Sequence, residues 1–133
     1  MCFFSFCKTY TPESFTKKKI NFGSGGGFTG QVTEYCLLEN GQLFVKKNTT
    51  EEYISLKSIS KKKTKKLFST LDSLQLEKIE HNQPANMYHF LSVSDQKNSH
   101  RLVWSVNDKP FTKEVGQFID SLQTIIPTSS IKK

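Results

Sequence analysis

The chain lacks the residue groups on which most enzymatic mechanisms rest. It has three cysteines and no Cys-x-x-Cys pair, so a disulfide framework is not expected. Its three histidines, His81, His89 and His100, stand without paired carboxylates at ligand spacing. No metal site and no cofactor is expected, and no nucleophile–base set stands out. No run approaches the ~20 apolar residues of a membrane-spanning helix. Acidic residues are also scarce, 12 against 19 basic ones, for a formal charge of +7.

What is present is aromatic area and one dense cluster of glycines. Eleven phenylalanines and a hydrophobic content of 35% over 133 residues describe one globular domain with a single core. Five of the seven glycines fall within positions 23–30, in the run Phe22-Gly23-Ser24-Gly25-Gly26-Gly27-Phe28-Thr29-Gly30. Glycine loses the most backbone entropy on folding and brings nothing to bury, so the cluster needs a geometric reason. It follows an apolar-ended stretch, residues 19–22, and precedes an alternating one, residues 32–37. The expectation is a tight, backbone-exposed crossing between two strands, with Phe28 at its tip or plugged beneath it.

The remaining pattern predicts an α+β fold. Residues 20–22 close a first strand, and 31–38 form a second with period-two character. Asn40-Gly41 reads as a two-residue hairpin turn, followed by a third strand at 43–47, and Tyr53 to Lys57 adds a short strand or a turn. A helix then begins near Ser58 or Ser60, with Leu67, Phe68, Leu71 and Leu74 on one face. Strands follow at 87–94 and 100–106. Asn107-Asp108-Lys109-Pro110 reads as a capped helix start. Phe111, Val115, Phe118, Ile119, Leu122 and Ile126 continue it at helical spacing until Pro127. The predicted order is β-β-β-α-β-β-α: an antiparallel sheet of about five strands with both helices on one face. Residues 1–16 read as leader and tether, 17–127 as the domain, and 128–133 as a tail.

Two motifs invite chemistry. Gly25-x-Gly27-x-x-Gly30 spells a dinucleotide or kinase glycine loop by letter, and Lys46 or Lys47 would pose as the phosphate-pairing lysine. A strand follows where the dinucleotide motif needs a helix. His100-Arg101-Leu102 is no His-Arg-Asp. Nucleotide binding is therefore not expected. The lysines Lys61, Lys62, Lys63, Lys65 and Lys66 form a basic patch at the start of the first helix. They read either as a solvated helix start or as a surface for a polyanion, an acidic protein or anionic headgroups. No aromatic platform is interleaved with them, so nucleic acid is not expected. At the N-terminus, Met1-Cys2-Phe3-Phe4-Ser5-Phe6-Cys7 turns polar at Lys8. It reads as the end of a signal peptide with Cys7 as the lipidated residue, although the apolar core is short and Phe6 stands where a small residue is usual.

Together, Ile20-x-Phe22-Gly23, Gly25-Gly26-Gly27-Phe28-Thr29-Gly30, Asn40-Gly41, Asn86-Met87-Tyr88, and Trp104 before the helix start at Asp108 and Pro110 form one spaced pattern. The pattern resembles a group of small envelope lipoproteins of Bacteroidota-type bacteria, over about residues 17–126. That resemblance implies an uncharacterised, non-enzymatic envelope protein, lipid-anchored through Cys7. More distantly the chain is similar to emfourin, a proteinaceous inhibitor of thermolysin-like metalloproteases, through Gly26-Gly27-Phe28-Thr29-Gly30 after the first strand. That likeness implies a protease as protein partner and Gly25, Gly26, Gly27, Phe28, Thr29 and Gly30 as binding residues. The other reading is a soluble, cytoplasmic basic module that binds a polyanion or an acidic protein.

Overall fold

The computed structural model describes residues 11–12, 14–27, 31–47, 52–83, 85–109 and 111–126. Among them, six strands form one antiparallel sheet and two α-helices pack on it, an α+β architecture. The strands are β1 (Lys19–Gly26), β2 (Val32–Leu38), β3 (Leu43–Lys46), β4 (Ile54–Leu56), β5 (Met87–Ser94) and β6 (Ser99–Ser105). The helices are α1 (Lys61–Leu74) and α2 (Lys113–Thr124), and a 3₁₀ turn at Leu76–Lys78 follows α1. Spatial order across the sheet is β4-β3-β2-β1-β5-β6. The first four strands are thus a meander, and the β5–β6 hairpin, delivered by α1, pairs onto the free side of β1.

The count differs from the expected five because Ile54–Leu56 pairs with β3, which makes it a strand rather than a turn. Its three residues form a short edge, a common way to limit edge-to-edge association. The larger correction concerns β1. Placed between β2 and β5, it hydrogen-bonds on both sides as far as Gly25 and Gly26, so half of the glycine run is strand and not crossing.

Both helices lie on one face of the sheet. Ile20, Phe22, Tyr35, Leu37, Leu43, Val45, Leu91, Leu102 and Trp104 alternate onto that face. They pack against Leu67, Phe68 and Leu71 of α1 and Val115, Phe118 and Leu122 of α2. Burying one such side chain contributes about 1.5–3 kcal/mol, so this layer carries most of the stability. The opposite face is covered in part. Phe15, Cys36, Leu38 and Phe44 are buried there with Tyr53 packed against them. Residues 36–38 therefore read as continuously buried rather than alternating. Beside this cluster, Asn21 Nδ2 and Tyr53 Oη each donate to Glu34 Oε2 at 2.7 Å.

The ends of the elements follow local chemistry. Ser60 caps α1 by accepting from the Lys63 amide, and Thr112 caps α2 by accepting from Val115. The second helix accordingly starts after Phe111, not at Asn107 to Pro110. Asp108 instead closes a turn, its amide donating to the Ser105 carbonyl. The β2–β3 link is likewise not a two-residue turn. The Gly41 amide donates to Leu38 O and the Leu38 amide to Gln42 O. Three residues therefore span the link, and Gly41 alone takes positive φ, at 100°. That is a type I turn closed by a glycine bulge. The Ile59 amide donates to Gly41 O, tying the approach to α1 to this turn.

Candidate functional site

The glycine motif sits at one end of the sheet, where β1 is clamped between two neighbours. Gly25 lies opposite Val32 on β2, and Gly26 lies opposite Met87 on β5. The Gly26 amide donates to Gln31 O, and the Gly27 amide to Asn86 O at 2.8 Å. This approach leaves no space for side chains. A Cβ on Gly23 would stand 1.9 Å from Thr33 O, and one on Gly26, whose φ is +98°, would stand 1.9 Å from Asn86 O. Over Gly25 the space is taken by Tyr88, whose Oη would lie 2.8 Å from an added Cβ. The strand amides are taken up by the ladders to β2 and β5, and no phosphate cradle forms along β1.

The structure thus places three of the six expected binding residues. Gly25 and Gly26 are in β1 and Gly27 directly follows it, whereas Phe28, Thr29 and Gly30 lie outside the described residues, as does Cys7. Sequence reasoning missed Met87 as a candidate. It is 52% exposed at the same end of the sheet, directly across from Gly26. An apolar residue opening a strand beside Asn86 was the available signal.

On the helix-bearing face, the same end opens into a groove of about 490 Å³ between the sheet and α2. Its floor is Phe22, Leu91 and Trp104, and Phe111 and Ile119 line its wall. Phe111 meets Trp104 edge-on at 4.9 Å, and His89 lies 5.8 Å from the same indole. Gly116 of α2 faces open space, with nothing within 4 Å of an added Cβ. Asp108, Lys109, Lys113 and Asp120 stand around the groove, so the rim carries both signs of charge.

The histidines are dispersed. His100 Nε2 is 2.7 Å from Ile79 O, His89 packs on Trp104, and His81 packs edge-on against Phe111 at 5.5 Å. His81 Nε2 is buried with no hydrogen-bond partner among the described residues. Among those residues, no three histidine, cysteine or carboxylate side chains converge to hold a metal ion.

The basic patch lies at the other end of the sheet. Lys61, Lys62, Lys63, Lys65 and Lys66 are all exposed on α1, and Lys63 Nζ reaches Thr124 Oγ1 at the C-terminal end of α2. Lys18, just before β1, pairs with Asp72 Oδ1 at 2.6 Å. This hydrogen bond holds the Lys18 ammonium above the ordinary lysine range, against the smaller opposing effect of burial. In the β5–β6 turn, Asp95 accepts from the Asn98 and Lys97 amides, which draws its carboxyl below the usual range. No protein-family model matches the chain, and no curated protein matches it.

Proposed function

We propose that this is a small, non-enzymatic envelope protein, anchored by lipid at Cys7, that binds a protein partner with the glycine end of its sheet. The observation that carries the reading is the pairing of a fixed backbone with an exposed apolar side chain. Met87 is half exposed beside Gly26, its partner in the β1–β5 ladder, and beside Gly27, while the Gly26 and Gly27 amides are fixed on Gln31 O and Asn86 O. A partner that closes on this end orders few groups, so little conformational entropy opposes binding. The likeness to emfourin names the partner class as a thermolysin-like metalloprotease. The non-enzymatic reading draws support from the histidines, each engaged separately with an aromatic ring or a backbone carbonyl.

The test is residual activity of several thermolysin-like proteases incubated with the full chain. Inhibition is expected, and Phe28→Ala and Met87→Asp are each expected to weaken it at least about tenfold while leaving the thermal transition in place. Absence of inhibition across the panel would remove the protease as partner. Mass spectrometry of the native protein tests the anchor separately: an unmodified N-terminus at Met1 rules it out.

A further inference from the structure

Five of the first six residues of α1 are lysine, and all five are exposed. They oppose the helix they belong to, because the amino-terminal end of the helix dipole is itself positive. No acidic residue in the first turn offsets them. The helix has one carboxylate, Asp72, and Lys18 is bound to it. Charge gathered against the preference of its own helix points to a role outside the fold.

The placement of the patch narrows that role. Thr64, Leu67, Phe68 and Leu71 are buried, so Lys62 and Lys66 fall on the outward side with Ser69 and Ser73, where they also border the hollow between the helices with Glu114 and Gln117 of α2. Lys61 and Lys65 share a hollow with Glu39 and Asn40, and the same two residues share the next hollow with Phe15, Thr16 and Lys17. Phe15 packs on the sheet face away from the helices, and the chain reaches α1 at Lys18, whose side chain pairs with Asp72.

We infer that the exposed lysine face of α1 is a docking surface for an anionic lipid bilayer. The choice of a bilayer rests on the reading of Cys7 as an anchor. It also rests on charge complementarity, since headgroups attract each lysine that comes within a Debye length. A nucleic-acid surface would set aromatic rings among the cations. Here the outward stripe carries serines instead. Docked this way, the domain turns the glycine end of its sheet away from the bilayer and toward a partner.

The test uses the full, unlipidated chain and co-sedimentation with two kinds of vesicle. One is phosphatidylcholine alone, and the other replaces a third of it with phosphatidylglycerol. Binding is expected only to the anionic vesicles and is expected to fall as salt rises. Lys62→Gln with Lys66→Gln should weaken it about twenty-five-fold, fivefold for each lysine. Lys109→Gln with Lys113→Gln removes the same charge at the other end of the sheet and should change it less than about twofold. Equal losses from the two pairs, or equal binding to neutral vesicles, overturns the inference. Tighter, α1-dependent binding to duplex DNA at the same salt also overturns it, in favour of a nucleic-acid surface. The assay needs neither lipid at Cys7 nor a protease. Its failure would therefore leave the anchor and the partner reading to their own tests.

Discussion

At one end of the sheet, Gly23 and Gly26 let the backbones of β2 and β5 come within 1.9 Å of where side chains would begin. At the other, five exposed lysines crowd the first turns of α1. The glycine end is shaped by the removal of side chains, and the fold depends on each removal. The lysine end is shaped by long, exposed side chains that its helix dipole disfavours. Position in a protein is thus explained in two ways. The glycines are where the backbone forces them, and the lysines are where the proposed docking surface would need them.

The comparison breaks first at Gly26. Alanine there meets Asn86 O at 1.9 Å while adopting a φ of +98°. Overpacking and left-handed backbone add to about 3 kcal/mol or more, a large share of a small domain's stability. Urea denaturation of Gly26→Ala should show a much reduced midpoint or no folded baseline. Gly27→Ala is the internal control. Its φ is +83°, but the nearest atom to an added Cβ is Met87 Cγ at 4.0 Å. Only the backbone penalty remains, about 1–2 kcal/mol. If the two variants unfold alike, crowding at Gly26 is not what the end is built on.

That contrast also marks what the sequence could tell. The α+β class, the helical face of α2 and the start of α1, expected near Ser58 or Ser60 and found at Ser60, were legible, because periodicity and capping chemistry are local. The extension of β1 through Gly26 was not. A glycine run looks the same whether it loops in solvent or lies in a strand, and its reason here is the approach of β5, more than sixty residues away in sequence. The start of α2 was misplaced for a local reason. Asn107-Asp108 reads as the cap in the sequence, but Thr112 caps the helix, while Phe111 packs on Trp104 before it begins. Met87 was missed because exposure at the start of a strand depends on where the neighbouring strand ends.

At the lysine end the expected effects are smaller and opposite in sign. Lys62→Glu, in the first turn of α1, replaces an unfavourable cation with a favourable anion at the helix start. Stability should rise by about 0.3–1 kcal/mol, read as a higher thermal midpoint. Binding to anionic vesicles should fall in the same protein. Stability and affinity moving apart would separate this end from the glycine end, where substitution lowers stability outright. A lower thermal midpoint would mean that Lys62 serves the fold.

The smallest effect lies where the chain enters the sheet, because Lys18 leads into β1 and reaches α1. Its ammonium is held above the ordinary lysine value of 10.5, first by the hydrogen bond to Asp72 and then by the charges of Asp72, Glu39 and Asp95. A group whose folded pKa lies above its unfolded one contributes stability that is fully present below the unfolded value. That contribution is lost as pH rises through the folded value. The window for Lys18 therefore opens near 10.5 and extends upward. The pair is partly solvated, with side-chain exposures of 31% and 65%, so its worth is that of a surface ion pair, about 0.2–1 kcal/mol. Asp72→Asn should lower stability by that amount at neutral pH, and less in high salt. The gap between the variant and the native chain should close as pH climbs past 10.5 and Lys18 loses its proton. A gap that persists at high pH would show that Asp72 holds α1 by geometry rather than by charge.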